Sequence, residues 1–252
     1  MVNFWSIVND VIDKSDILLE VLDCRLPDMT RNAEVEGKVK RAGKKLILVL
    51  NKADLIGQRT AEKEKRKFTK EYPVVFVSTR EHQGTKLLRE AILKNTDKQE
   101  ITVGVLGYPN TGKSSIINVL KGRKAAPTSP QSGHTRSLQR IRVTARIMML
   151  DTPGVVPFIE KDEVKHVLIG SIMHSDVQNA DLSACEIIKH CNGIDEAIIL
   201  KYYDVPAAPD EFSLLEAIAR KRNIIGKGGV FDVERAARLV IQDWQMGKIK
   251  LS

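Results

Sequence analysis

The sequence predicts an α/β protein, an open and mostly parallel sheet followed by a small all-α domain. Three observations point there. Short continuous apolar runs alternate with helical patterns through residues 1–160, as strands buried on both faces of a parallel sheet require. Loops rich in Gly, Asn and Asp follow those runs, the position at which open α/β sheets build their sites. After Phe158 the strand pattern fades and helical periodicity alone continues. Two domains are expected, residues 1–160 and 161–252.

The elements follow in order. Ile17 to Leu22 (ILLEVL) and Lys45 to Leu50 (KLILVL) are the first two strands. Thr60 to Lys70 is a charged, exposed helix that Pro73 stops, and Val74 to Val77 (VVFV) is the third strand. Gly84 to Leu93 places Leu87, Leu88, Ala91 and Ile92 on one helical face. Ile101 to Leu106 (ITVGVL) is the fourth strand, and Ser114 to Leu120 a helix closed by Gly122. A Pro-, Ser- and Gly-rich loop from Ala125 to Gly133 precedes strands near Arg140 to Val143 and Arg146 to Leu150. In the second domain Val164 to Met173 and Leu182 to Cys191 look helical. Ser213 to Glu216 reads as a capping box. After the turn Gly226 to Gly229, Asp232 caps a helix with Val233, Ala237, Val240 and Trp244 on one face.

The 252 residues suffice for one good core and a smaller second one. No apolar run approaches the ~20 residues of a membrane span, and no secretory leader is read at Met1 to Trp5. Three cysteines without a CxxC pair suit a reducing cytoplasm. The formal net charge is +8, unevenly placed. Ile101 to Leu150 contains no acidic residue but includes Lys121, Arg123, Lys124, Arg136, Arg140, Arg142 and Arg146. Such a stretch offsets nucleotide phosphate or binds a polyanion, and the number of cations favours RNA. No DNA partner is expected.

Gly107-Tyr108-Pro109-Asn110-Thr111-Gly112-Lys113-Ser114 matches G-x-x-x-x-G-K-[ST] between a predicted strand and a predicted helix. Gly107 and Gly112 let backbone N–H groups turn toward phosphate oxygens, and the helix N-terminus adds partial positive charge. Lys113 would bridge terminal phosphates, and Ser114 would offer a hydroxyl to Mg²⁺. Asn51-Lys52-Ala53-Asp54 has the residue types that read guanine. The Asp54 carboxylate accepts from two donors that adenine lacks, a pairing able to discriminate by ~10⁴ or more. Asn51 would donate to the base edge, and the Lys52 stem would lie along its face. Ser78 and Thr79 stand where a backbone N–H could meet the guanine carbonyl. Asp151-Thr152-Pro153-Gly154 ends the strand IMML. Asp151 would hold Mg²⁺ through water, and the Gly154 N–H would meet the γ-phosphate. Thr135 is the candidate to complete the metal shell. Lys113, Thr135 and Gly154 are thus the catalytic candidates. Val155 and Val156 stand where many GTPases carry a water-orienting glutamine, so intrinsic hydrolysis should be slow. Asn110 is either a turn former after Pro109 or a ligand for K⁺ near the phosphates.

In an ordinary GTPase the phosphate loop comes first and the guanine box nearly last; here the order is rotated. This order resembles the circularly permuted GTPases of the YlqF/YawG family. The opening Glu20-Val21-Leu22-Asp23-Cys24-Arg25-Leu26-Pro27-Asp28 is similar to that family's V-x-D-A-R-x-P segment, with cysteine for alanine. The close, Gly228 through Asp232 to Ala237, with Gly247-Lys248, resembles its helical RNA-binding domain. The resemblance implies a P-loop GTPase fold with a permuted sheet, GTP and GDP as ligands with Mg²⁺, and large-ribosomal-subunit assembly as the role. It implies that Asn51, Lys52 and Asp54 bind guanine, that Asn110, Thr111, Gly112, Lys113, Ser114 and Ser115 bind phosphates and cations, and that Thr135 and Asp151 serve Mg²⁺. It also implies that a hydrophobic residue replaces the catalytic glutamine, as Val155 does. Bacterial relatives carry an N-terminal Pro-Gly-His-Met element. This chain has Phe4-Trp5-Ser6 there, and its first histidine is His82, which suggests a distinct, archaeal-like branch. Other readings are a GTP sensor, or a GTPase coupled to RNA modification without stable ribosome contact.

Overall fold

The computed structural model describes residues 4–122, 139–151 and 162–251. The chain divides into two compact units, Met1–Glu160 and Lys161–Ser252.

The first unit runs α1 (Phe4–Lys14), β1 (Ile17–Asp23), the single turn α2 (Pro27–Thr30), α3 (Ala33–Arg41), β2 (Lys45–Asn51), α4 (Gln58–Phe68), β3 (Val74–Phe76), α5 (Thr85–Lys94), β4 (Ile101–Leu106), α6 (Lys113–Lys121), β5 (Gln139–Arg142) and β6 (Ile147–Asp151). The six strands lie in the order β3-β2-β1-β4-β6-β5. All neighbours are parallel except β5 and β6. The antiparallel edge follows from chain length, since only Val143 to Arg146 separate the two strands and a parallel return needs a dozen residues or more. β1 and β4 form the middle of the sheet, and β1 is buried along its whole length. On one face Ile17, Leu19, Val21, Ile47, Val49, Val103, Val105 and Met149 meet Leu88 and Ile92 of α5 and Ile116, Ile117 and Leu120 of α6. On the other face α1 lies so close to β4 that a Cβ on Gly104 would come within 2.6 Å of Val11 Cγ1 and 2.4 Å of Ser15 Oγ. The glycine inside strand ITVGVL is therefore a packing requirement.

The second unit is helical: α7 (Glu163–Leu168), α8 (Ala180–Asn192), α9 (Ala197–Tyr203), α10 (Glu211–Lys221) and α11 (Val233–Gln245). Trp244 fills its centre, donates Nε1–H to the Leu168 carbonyl at 2.8 Å, and meets the His190 ring edge-on at 5.7 Å. Asp162, Asp210 and Asp232 cap α7, α10 and α11. Among the described residues no helix is long and apolar enough to cross a membrane.

Several helices differ from expectation. The expected helix Val164 to Met173 stops at Leu168, because Gly170 takes φ +76° just beyond its end and closes it. α10 opens two residues before Ser213, since the Asp210 carboxylate accepts the Ser213 N–H at 2.7 Å. α1, α2, α3 and α9 are helices beyond those the sequence pattern predicts. The α1 pattern Ile7, Val8, Val11, Ile12 is amphipathic, and in α3 the Asn32 side chain accepts from the Glu34 and Val35 amides.

One buried polar group in this sheet stands out. Glu20 sits mid-strand on β1, where its Oε1 accepts the Asn32 N–H at 2.8 Å. Its Oε2 has no hydrogen-bond partner among the described residues. Burial first, and the neighbouring Glu36 second, push its carboxyl well above the usual range. Arg31 engages Glu36 and Glu71 and lies over the Phe68 and Tyr72 rings. A carboxyl whose folded pKa is raised contributes stability that is complete below the unfolded value and lost as pH rises through the folded value. Glu20→Gln keeps the acceptor for Asn32 and turns a donor toward Glu36. It should unfold at a higher temperature than the parent at pH 7–8, with ~2–4 °C for each ~1 kcal/mol regained, and lose that advantage near pH 4. Equal melting temperatures at pH 7–8, followed by circular dichroism, would contradict this account of Glu20.

Candidate functional site

The phosphate-loop sequence leaves the C-terminal end of β4 and enters α6 at Lys113. Two glycines give it its shape. Gly107 takes φ +140° and Gly112 φ +98°. A Cβ at Gly107 would stand 2.5 Å from the Val21 carbonyl oxygen, and one at Gly112 would stand 2.1 Å from Asn51 Nδ2. Either side chain would break the contact between loop and neighbouring strand, so the cradle exists only with glycine there. Between them Asn110 is left-handed at φ +59°. Thr111 is fully buried and donates its hydroxyl to the Tyr108 carbonyl at 3.0 Å. Lys113 folds back over the loop, with Nζ 3.0 Å from the Gly107 and 2.8 Å from the Tyr108 carbonyl oxygens. Burial pushes its ammonium down to about 8, against the opposing pull of Asp151. Ser114 and Ser115 begin α6, and the Ser114 hydroxyl reaches Asp151 Oδ2 at 3.2 Å.

The guanine-box residues come from the next strand but one. Asn51 ends β2 and Asp54 lies in the short 3₁₀ turn Ala53–Leu55 that follows. Asn51 is 1% exposed and donates Nδ2–H to the Thr111 carbonyl at 2.8 Å, joining this box to the phosphate loop. Its Oδ1 is buried without a hydrogen-bond partner among the described residues. Asp54 Oδ1 accepts the Ser78 hydroxyl at 2.7 Å, which orients the carboxylate. Ser78 also exchanges backbone hydrogen bonds with Gln83 and receives the Glu81 N–H. Thr79 lies in that same tight turn, as does His82 at φ +57°. Lys52 is left-handed at φ +62° and points its ammonium at Asp23, on the adjoining end of β1.

Asn51, Lys52, Asp54, Ser78, Asn110, Thr111, Gly112, Lys113, Ser114 and Asp151 therefore gather at one end of the sheet, at the ends of β2 and β6, on the loops after β2, β3 and β4, and at the start of α6. Thr135, Gly154 and Val155 lie outside the described residues. The cradle, the buried and unpartnered Asn51 oxygen, and the serine–carboxylate pair Ser114–Asp151 fit a nucleotide triphosphate with a hard divalent cation. The sequence singled out the segment around Asp23 and Arg25 by resemblance alone and assigned it no chemistry. Its signal is a buried acid at a strand end beside the lysine of the next strand, visible only once β1 and β2 are paired.

The chain is similar to several known proteins. A family model described as 50S ribosome-binding GTPase matches residues 102–210. An uncharacterized GTP-binding protein of Methanocaldococcus jannaschii is 44% identical over 247 residues, covering 97% of this chain and 65% of its own. Nucleolar GTP-binding protein 2 of Saccharomyces cerevisiae is 33% identical over 254 residues, 97% of this chain and 52% of its own. GNP-bound YlqF from T. maritima superposes with a TM-score of 0.67 at 27% identity, covering 97% of this chain and 94% of that one. GDP-bound YlqF gives 0.68 at 28%, with 96% and 95% covered. The chain thus spans about two thirds or less of the full length of the first two relatives.

Fold and site together define a P-loop GTPase domain whose motifs run in rotated order. The chain belongs to the circularly permuted GTPases that YlqF represents.

Proposed function

We propose that the chain binds GTP and GDP, hydrolyses GTP slowly, and assists assembly of the large ribosomal subunit by holding that subunit or its rRNA in the GTP state. The observation that carries the nucleotide reading is the hydrogen bond from Asn51 to Thr111, which ties a base-reading box to a phosphate cradle in one rigid unit. The relatives, named as nucleolar or ribosome-binding GTP-binding proteins, support the ribosomal role.

Asn51, Lys52 and Asp54 hold the base in this reading, with Ser78 setting the Asp54 carboxylate and Thr79 offering backbone. Thr111, Gly112, Lys113, Ser114 and Ser115 hold the phosphates. Lys113 leaves two backbone carbonyls for the phosphates, and the negative charge restores the proton affinity that burial lowers. Ser114, Asp151 and Thr135 would hold Mg²⁺, which neutralises charge on the terminal phosphates when bound. Gly154 meets the γ-phosphate, and Asn110 would hold K⁺ beside the same oxygens. Buried cysteines Cys24 and Cys191, in no disulfide, suit action in the cytoplasm.

Base choice is testable at Asp54. Asp54→Asn should shift preference from GTP toward xanthosine triphosphate, because an amide donates where xanthine presents a carbonyl. Competition titration measures it, and a parent protein that binds ATP as tightly as GTP contradicts the reading.

Rate tests the cation. Hydrolysis should be slow and faster in potassium than in sodium, and Asn110→Ala should abolish the difference. Equal rates in both salts with the parent protein would remove K⁺ and leave the GTPase intact.

For the partner, β5 carries Arg140 and Arg142 on one exposed face of the sheet edge, in register with Leu150 and Met148 of the strand that ends at Asp151. A polyanion docked there touches a strand whose partner ends at the metal-binding acid. In the second unit Arg222 and Lys227 flank the turn before α11, a second contact able to add avidity. Binding to the large subunit should be tighter with a non-hydrolysable GTP analogue than with GDP and weaken steeply with salt. Arg140→Glu with Arg142→Glu should weaken it about tenfold or more while leaving GTP affinity unchanged. Co-sedimentation that is absent in every nucleotide state at low salt would overturn the ribosomal role.

A further inference from the structure

The left-handed Lys52 is held from outside its own motif. Asp23 ends β1 directly across from Asn51 in the β1–β2 register, and its side chain is about 1% exposed. Its carboxylate accepts four hydrogen bonds. Oδ1 takes the Arg25 backbone N–H at 3.0 Å and Arg25 Nε at 3.1 Å. Oδ2 takes Arg25 Nη2 and Lys52 Nζ, both at 2.7 Å. Cys24, between the two, donates its backbone N–H to the Asn51 carbonyl at 3.0 Å and its thiol to the Lys52 carbonyl at 2.9 Å. Thr30 of α2 locks the base of the clamp, accepting the Asp23 N–H at 3.1 Å and donating to the Leu26 carbonyl at 2.8 Å. Lys52 is therefore tethered at its backbone by Cys24 and at its ammonium by Asp23.

Two features make this more than a stray ion pair. A non-glycine residue in the left-handed region persists only where its surroundings over-determine it, and here the surroundings are this clamp. A buried carboxylate also needs its cations. Burial alone would raise the Asp23 carboxyl, yet Arg25 and Lys52 beside it hold it well below the usual range. Arg25 alone could satisfy the charge, with its bidentate fork. The further bond to Lys52 adds a fixed direction for the lysine stem.

We infer that Asp23 is a positioning residue for guanine: by anchoring Lys52 it fixes the lysine stem and the Asn51–Asp54 turn in the geometry that reads the base. The inference rests on the nucleotide reading above and names what sets its specificity. Arg25 orients Asp23, and Cys24 holds the backbone between Asn51 and Asp54. None of the four hydrogen bonds to the Asp23 carboxylate comes from the phosphate loop, so the effect should fall chiefly on the base.

The test is a titration of GDP and ADP, followed by fluorescence of labelled nucleotide, on the parent, Asp23→Asn, Asp23→Glu, Lys52→Met and the Asp23→Asn/Lys52→Met double variant. Asp23→Asn should weaken GDP about tenfold while changing ADP less than about twofold. Asp23→Glu, which keeps the charge, should recover most of the loss. In the Lys52→Met background, Asp23→Asn should add little to the loss for GDP, because Asp23 acts through Lys52. Losses that multiply in the double variant, or that fall equally on GDP and ADP, would mean that Asp23 merely supports the fold, and would overturn the inference. Should Asp23→Asn fail to fold with Arg25 left unpaired, Lys52→Met decides. It leaves the Asp23–Arg25 pair intact, and an unchanged ratio of GDP to ADP affinity would overturn the inference. A parent protein without preference for GDP over ADP would refute the nucleotide reading itself, whereas a preference that Asp23→Asn leaves intact refutes only the role of Asp23.

Discussion

The site depends on one hydrogen bond between two loops, from Asn51 Nδ2 to the Thr111 carbonyl. The donor ends β2 and the acceptor follows β4, so the bond crosses over the end of β1, which lies between them. It can form only if three parallel strands keep their register, because a slip by one residue would turn Asn51 to the opposite face of the sheet. It also demands Gly112, since any side chain there would displace the Asn51 amide. The buried β1, the continuous apolar face under α5 and α6, and the glycine in the loop are all conditions on this contact.

The same bond explains why rotating the order of the motifs leaves the site intact. The base box and the phosphate loop meet because β2 and β4 flank β1, and strand adjacency is indifferent to which strand the ribosome made first. Rotation does change the connections. The box strands β1, β2 and β3 now precede β4, and β1 pairs in parallel with β4 across the helices and strands made between them. Such non-local parallel pairing is closed late and at an entropic cost. The full burial of β1 on both faces offsets it.

The parts of the fold that were legible in the sequence share a physical cause. Strands buried on both faces must be apolar throughout, so ILLEVL, KLILVL and ITVGVL stood out. The phosphate loop was legible because its glycines have no substitute. What the sequence concealed was relational. Glu20 and Asp23 look like interruptions of an apolar strand. Their meaning, a buried acid beside Glu36 and an anchor for Lys52, appears only when β1 lies against α3 and β2. Gly104 likewise reads as a weak strand residue until α1 is seen to pack on it. α1 is a short amphipathic helix whose apolar residues Ile7, Val8, Val11 and Ile12 gain meaning only against the sheet. The apolar periodicity of Val164 to Met173 continues past the helix end because a left-handed glycine, Gly170, stops the backbone without interrupting the pattern.

The charge of the chain can be followed by what each cation already does. Lys113 is buried against its own loop, and Arg25 and Lys52 are spent on Asp23. These cations are held by internal partners. Arg146 is turned onto the carbonyls of Lys98 and Gln99. Arg140 and Arg142 are exposed on an edge strand, Arg142 with Nη1 donating to the Ala145 carbonyl at 3.2 Å. Charged side chains on an edge also deter pairing with another sheet, and a single arginine would serve that purpose. Two on one face, in a stretch from Ile101 to Leu150 without any acid, leave positive potential in excess of what edge protection or a nucleotide needs. The excess sits on the strand paired to the one that ends at Asp151. On the function proposed above, a polyanion drawn to it would bind next to Asp151, and this proximity would give nucleotide state a physical route to control the grip on that polyanion.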